Sequence, residues 1–106
     1  MRWFEKIIEA HVAVTDAVSH FERMKSDRYF VWQEEASIDL LADNGHCAYA
    51  VRGTTDLFTT QEFDPWADEI ETAFFRAGIS FRKNSVQYEE NTGIVHHEWE
   101  WTVWDE

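Results

Sequence analysis

The segment Ile94 to Trp104 places Val95, His97, Trp99, Trp101 and Val103 on one parity, and His96, Glu98, Glu100, Thr102 and Trp104 on the other. Successive side chains of a strand point to opposite faces, so this run reads as a half-buried antiparallel strand. One of its faces must be covered and the other tolerates water. The turn residues Glu90-Asn91-Thr92-Gly93 precede it, and Ser80 to Glu89 before them reads as the other arm of a hairpin. Any fold open to this chain has to supply a layer that packs on Trp99 and Trp101.

That layer is legible upstream. Asp64-Pro65 offers an N-cap and an N1 proline, Trp66, Ile70, Ala73, Phe74 and Ala77 share one helical face, and Gly78 stands at the C-terminal stop. In residues 3 to 24 the apolar positions Phe4, Ile7, Ile8, Val14, Val18 and Phe21, with His11 and Thr15 between them, recur at three and four. This spacing predicts a first helix across that stretch. Arg28 to Glu35, rich in Tyr29, Phe30, Val31 and Trp32, predicts a strand. Asn44-Gly45 within residues 42–46 predicts a reversal, and Cys47 to Thr60 a long strand with Tyr49, Val51, Thr55 and Leu57 on one parity and a bend at Gly53. The order predicts an α+β fold, a single antiparallel or mixed sheet of about four to five strands with two helices packed on one face. The outer face is expected to be acidic and wet. With 106 residues and no linker-like stretch, the expectation is one α+β domain spanning 1–106.

Charge and sulfur narrow the function classes. Nine Lys and Arg against 21 Asp and Glu leave a formal net charge of -12. Direct high-affinity nucleic-acid binding is not expected, because it needs cations to displace the counterions of phosphate. The single cysteine, Cys47, excludes an internal disulfide and reads as buried and inert, since strand alternation sends its side chain away from that of His46. No apolar run approaches the roughly 20 residues of a bilayer span, so no membrane association is expected. Glu5, Glu9 and His11 interrupt the apolar N-terminus, which also lacks a small-residue cleavage site, so a signal peptide is not expected and a cytoplasmic chain is the default.

The most tempting chemical constellation is His96-His97-Glu98-Trp99-Glu100, because imidazole and carboxylate serve as metal ligands and as acid or base groups. Alternation separates His96 from His97, and His96, Glu98 and Glu100 align with Cα atoms about 6.6 Å apart, which does not build a closed tetrahedral site. Asp16, Ser19 and His20 hold the residue types of a hydrolase triad, but one turn of a regular helix seldom supplies base contact and oxyanion hole together. Nucleotide, zinc-protease, nucleophile-elbow and CxxC signatures do not occur. The expectation is a non-enzyme with no catalytic residues, no metal and no cofactor. A small metal-dependent enzyme using His96 and Glu98 stands as one rival, and an acidic protein-binding module such as a DNA mimic or inhibitor as another.

Tryptophan is more informative. Trp3, Trp32, Trp66, Trp99, Trp101 and Trp104 accompany eight Phe and three Tyr in a chain whose core is modest in size. Trp3, Trp32 and Trp104, together with the Asp43-Asn44 loop, are the candidates for an interaction surface.

Leu41-Ala42-Asp43-Asn44, the strand ending Asp56-Leu57-Phe58-Thr59, Phe63-Asp64 opening a helix that closes at Ala77-Gly78, and Tyr88-Glu89-Glu90-Asn91-Thr92-Gly93-Ile94-Val95-His96 follow one another in order. This series, over about residues 29 to 103, resembles the small tail proteins of long-tailed phages and prophages of Gram-positive bacteria. The resemblance implies a tail-completion or tail-terminator protein that closes as a ring, a hexamer being the suggested form, at the end of the tail tube or the head-tail joint. It implies a homo-oligomer on assembly, contacts with other tail or connector proteins, and a place in the virion tail after assembly in the host bacterial cytoplasm. It transfers no catalytic residues, and Asn91, Thr92 and Gly93 are structural turn residues in it. Acidic ring walls, exemplified by the Lys- and Arg-free stretch Asn84 to Glu106, would repel phosphate and let DNA slide past.

Overall fold

The structure is a computed structural model that describes residues 1–41 and 47–105, with backbone alone for residues 39–41, 47 and 48. The predicted reversal at residues 42–46, and with it Asp43 and Asn44, lies outside the described residues, as does the side chain of Cys47. The elements are α1 (Trp3–Val12), β1 (Val18–His20), β2 (Arg28–Leu41), β3 (Cys47–Thr59), α2 (Pro65–Arg76), β4 (Ser80–Glu89) and β5 (Ile94–Trp104). The strands form one sheet in the order β1-β2-β3-β5-β4, with β1 parallel to β2 and the other neighbours antiparallel. The fold is α+β with a mixed sheet, as the element order predicts.

The second helix starts where its caps place it. Asp64 accepts the Trp66 N–H at 2.9 Å, Pro65 occupies the first turn, and Gly78 at φ 72 ends the element. Three further hydrogen bonds make the cap a joint between elements. The Arg28 guanidinium grips both carboxylate oxygens of Asp64 at 2.6 and 2.8 Å, and Thr59 Oγ1 donates at 2.7 Å. Burial acts to raise the Asp64 pKa, but these bonds outweigh it and hold the carboxyl below its ordinary value.

The first helix corrects the periodicity. It ends at Val12 and does not continue to residue 24, because the Val14 and Thr15 N–H groups both turn back to the His11 carbonyl, and Thr15 Oγ1 takes the Ala17 N–H at 3.1 Å. Such local bonds compete with helix continuation. Val18 to His20 then pair with Phe30 to Trp32, so Val18 is an edge-strand residue. Phe21, at φ 69, reverses the chain while its N–H donates to the Trp32 carbonyl. β2 also runs past the predicted end at Glu35 to Leu41, since β3 offers it partners as far as Cys47, and a bulge lies between Glu34 and Ala36.

Both helices pack on the sheet face formed by Phe30, Trp32, Val51, Leu57, Trp99, Trp101 and Val103, with Ile7 and Ala10 from α1 and Ile70 and Phe74 from α2. β3 passes through Gly53 without interruption. That glycine answers to a close approach: an added Cβ would stand 2.5 Å from the Trp101 ring and also collide with the Gln33 carbonyl. The opposite face is not uniformly wet. Tyr29, Val31 and Phe58 form a second buried cluster there, and Arg23 lies 4.4 Å above the Phe58 ring.

Candidate interaction surface

His11 shows how the helices hold the sheet. It is fully buried on α1 among Phe30, Trp32 and Phe74. Its Nδ1–H donates to the Ile7 carbonyl at 2.7 Å, while Nε2 accepts from Thr55 Oγ1 at 3.0 Å. The same hydroxyl accepts from Trp101 Nε1 at 2.9 Å, so one relay ties α1, β3 and β5 and uses both nitrogens of a neutral ring. Burial pushes the His11 pKa down to about 4. Across the core, Trp99 Nε1 donates to Glu71 on α2 at 2.8 Å. These indoles are committed to the interior.

The three surface candidates part company. Trp32 is 5% exposed, and its parity places it beneath α1, where its ring stacks on His20 at 3.9 Å, so it is withdrawn from the surface set. Trp3 is half-buried at the start of α1, edge-on to Trp32. Trp104 is 44% exposed, on the parity that the alternation assigns it, facing away from the helices. The chain ends meet: Asp105 accepts from the Trp3 N–H and from Arg2 Nε, both at 3.0 Å, and Lys6 Nζ donates to the Trp104 carbonyl at 3.1 Å. Hydrogen bonds from Tyr49, Trp3 and Arg2 pull the Asp105 pKa down to about 2. This clasp brings the Trp3 and Trp104 backbones together, with the two side chains on opposite sheet faces.

Beside Trp3 lies a hollow of about 350 Å³ lined by Phe4, Ile8, His20, Trp32 and Glu34. Its rim continues along exposed Ile8 and Val12, and Phe21 stacks on His20 at 3.8 Å. His20 Nε2 meets Glu34 Oε1 at 2.6 Å. Although burial acts to raise it, the Glu34 carboxyl is held below its ordinary value by His20. Helical spacing predicts Phe4 and Ile8 on the buried stripe, yet both are exposed. The missed signal is that a ten-residue helix carrying apolar residues at 4, 7, 8, 10 and 12 has more greasy surface than one stripe can cover. Phe63, 89% exposed before α2, is a further apolar side chain left in water.

The groups weighed for catalysis are dispersed. His96 and His97 lie on opposite faces, His96 Nε2 against Asp56 at 2.8 Å and His97 Nδ1 accepting from Lys83 Nζ at 2.9 Å. Burial, then the Lys83 charge, lowers the His97 pKa. Glu98 takes Asn84 and Glu100 takes Arg82. Asp16, Ser19 and His20 lie at and beside β1, where alternation separates Ser19 from His20. Among the described residues, no group of three or more His, Cys, Asp or Glu is placed to hold a metal ion. No helix among them is long and apolar enough to cross a membrane. The 91–93 turn performs as its residues predict, with Gly93 at φ 74 and its N–H on the Glu89 carbonyl at 2.8 Å.

No protein-family model matches the chain, and no curated protein matches it. A solved structure does. A chain of the "Virion of native gene transfer agent (GTA) particle" superposes with a TM-score of 0.63, covering 99% of this chain and 92% of that one at 12% identity. The likeness is one of fold. It extends over nearly the whole of both chains.

Proposed function

We propose that the chain is a structural protein of virion assembly in a phage or phage-like particle, and that it acts at tail completion, as a terminator closing into a ring at the tail tube end or head-tail joint. The observation that carries this is the fold likeness to a virion chain over nearly the whole length of both molecules. The ordered motifs from Leu41 to His96 support the finer assignment to the tail. On this reading the protein is not an enzyme. It works through apolar surface such as Phe4, Ile8, Phe21, Phe63 and Trp104, which other copies and neighbouring tail or connector proteins would cover. Each copy adds a formal charge of -12, which keeps ring walls from gripping passing DNA.

Electron microscopy of particles made without this protein tests the reading. Tails of uncontrolled length, or heads without joined tails, are the expected result, and normal infectious particles would remove it. The charge also motivates the acidic-mimic alternative. Tight, salt-sensitive capture by a nucleic-acid-binding protein, with no incorporation into particles, would favour that rival.

A further inference from the structure

β4 is an outer strand, and among the described residues no strand pairs with its free side. Its apolar residues Val86 and Tyr88 are 54% and 63% exposed. Proteins commonly blunt such an edge with charges and bulges, and β4 has both. Their placement has a second effect. The ladder with β5 sets Lys83 opposite Trp99 and Ser85 opposite Glu98, so Asn84 is skipped. Phe81, Lys83, Val86 and Tyr88 therefore face the helix side, while Arg82, Ser85, Gln87 and Glu89 face away.

Laid antiparallel on a second copy of itself with Val86 opposite Val86, this strand matches face for face. Ser85 meets Gln87, Lys83 meets the Tyr88 ring, and Arg82 meets Glu89, each contact occurring twice about the two-fold axis. Without the skipped Asn84, the register that sets Arg82 against Glu89 would set Ser85 against Val86, whose side chains point to opposite faces. Arg82 and Lys83, which contact Glu100 and His97 of their own chain, stand at one end of the strand and Glu89 and Glu90 at the other, so opposite signs meet at both ends of the pair. The other sheet edge, β1, is three residues long and offers a head-to-tail partner far less ladder. We propose that β4 docks on β4 of a second copy, joining two sheets into one across a two-fold axis. This pairing belongs to the free chain and does not depend on the virion role, which requires a head-to-tail contact for ring closure.

Light scattering of the full chain after size exclusion tests it. The wild type is expected at twice its 12.6 kDa mass. Glu89→Arg sets cations against cations and should run as single chains, as should Arg82→Glu. An equimolar mixture of the two restores both charge matches and should return to the paired mass. Val86→Lys at the two-fold centre should give single chains without touching the Arg82 contact to Glu100. Circular dichroism melts report that each variant is folded. A monomeric wild type, an oligomer that Val86→Lys leaves intact, or a mixture of folded variants that stays monomeric would each overturn the pairing.

Discussion

Replacing His11 with Gln should make this fold less sensitive to acid between pH 7 and pH 5. The ring is fully buried and neutral, donating to Ile7 and accepting from Thr55. Its pKa of about 4 in the folded chain compares with 6.5 when it is exposed. Unfolded chains therefore bind a proton below 6.5 that folded chains refuse until about 4, and stability falls as the pH drops through that window. The full gap corresponds to about 3 kcal/mol, of which about 2 kcal/mol is lost between pH 7 and pH 5. His97, lowered in the same direction, adds to the wild-type slope in both proteins, so the difference between them isolates His11. Urea unfolding at the two pH values is the assay. His11→Gln will be less stable at pH 7, since the relay to Trp101 is broken, but its free energy should decline by about 2 kcal/mol less on acidification. Equal declines in the two proteins, or a His11 resonance titrating near its exposed value by NMR, would refute the reasoning.

Four further substitutions, at three positions, probe the joints of the fold. Gly53→Ala drives a Cβ against the Trp101 ring and the Gln33 carbonyl, where neither indole nor backbone has room to give. A loss of about 3 kcal/mol in denaturant unfolding is expected, and a change within about 0.5 kcal/mol would contradict the close approach. Asp64→Ala removes the α2 cap and leaves Arg28 and Thr59 without their acceptor, for a loss of about 3 kcal/mol, the lower end for a broken buried pair because Arg28 keeps some access to water. Asp64→Asn retains an acceptor for the Trp66 N–H and should lose less. It should also flatten the stability profile in acid below the carboxylate range, where the wild type surrenders the contribution of a carboxyl held low; an unchanged acid limb would count against that account. Gly93→Ala places a Cβ at φ 74 and should cost about 1 kcal/mol by thermal melt while leaving the hairpin register intact, and a neutral effect would argue against the left-handed turn.

Local chemistry carried much of the architecture. The two-residue alternation of β5, the Asp64-Pro65 start of α2, its Gly78 stop and the Thr92-Gly93 turn each encode their element through contacts within a few residues, so the α+β class and the final hairpin were readable from the chain alone. The faces of His96 and His97 followed from alternation as well. What the tertiary structure alone decided is where those patterns stop and what each residue meets. Helical spacing in residues 3 to 24 could not show that Thr15 would close the helix and hand Val18 to the edge of a sheet through Phe30, a partner twelve positions away. Composition could not say which indoles would be sheltered: Trp32 is covered because α1 crosses its face of β2, and Trp104 is open because its parity faces away from both helices. Periodicity reports the intrinsic direction of a side chain, whereas burial depends on which distant element is packed opposite it, and that is set when the sheet and both helices assemble together.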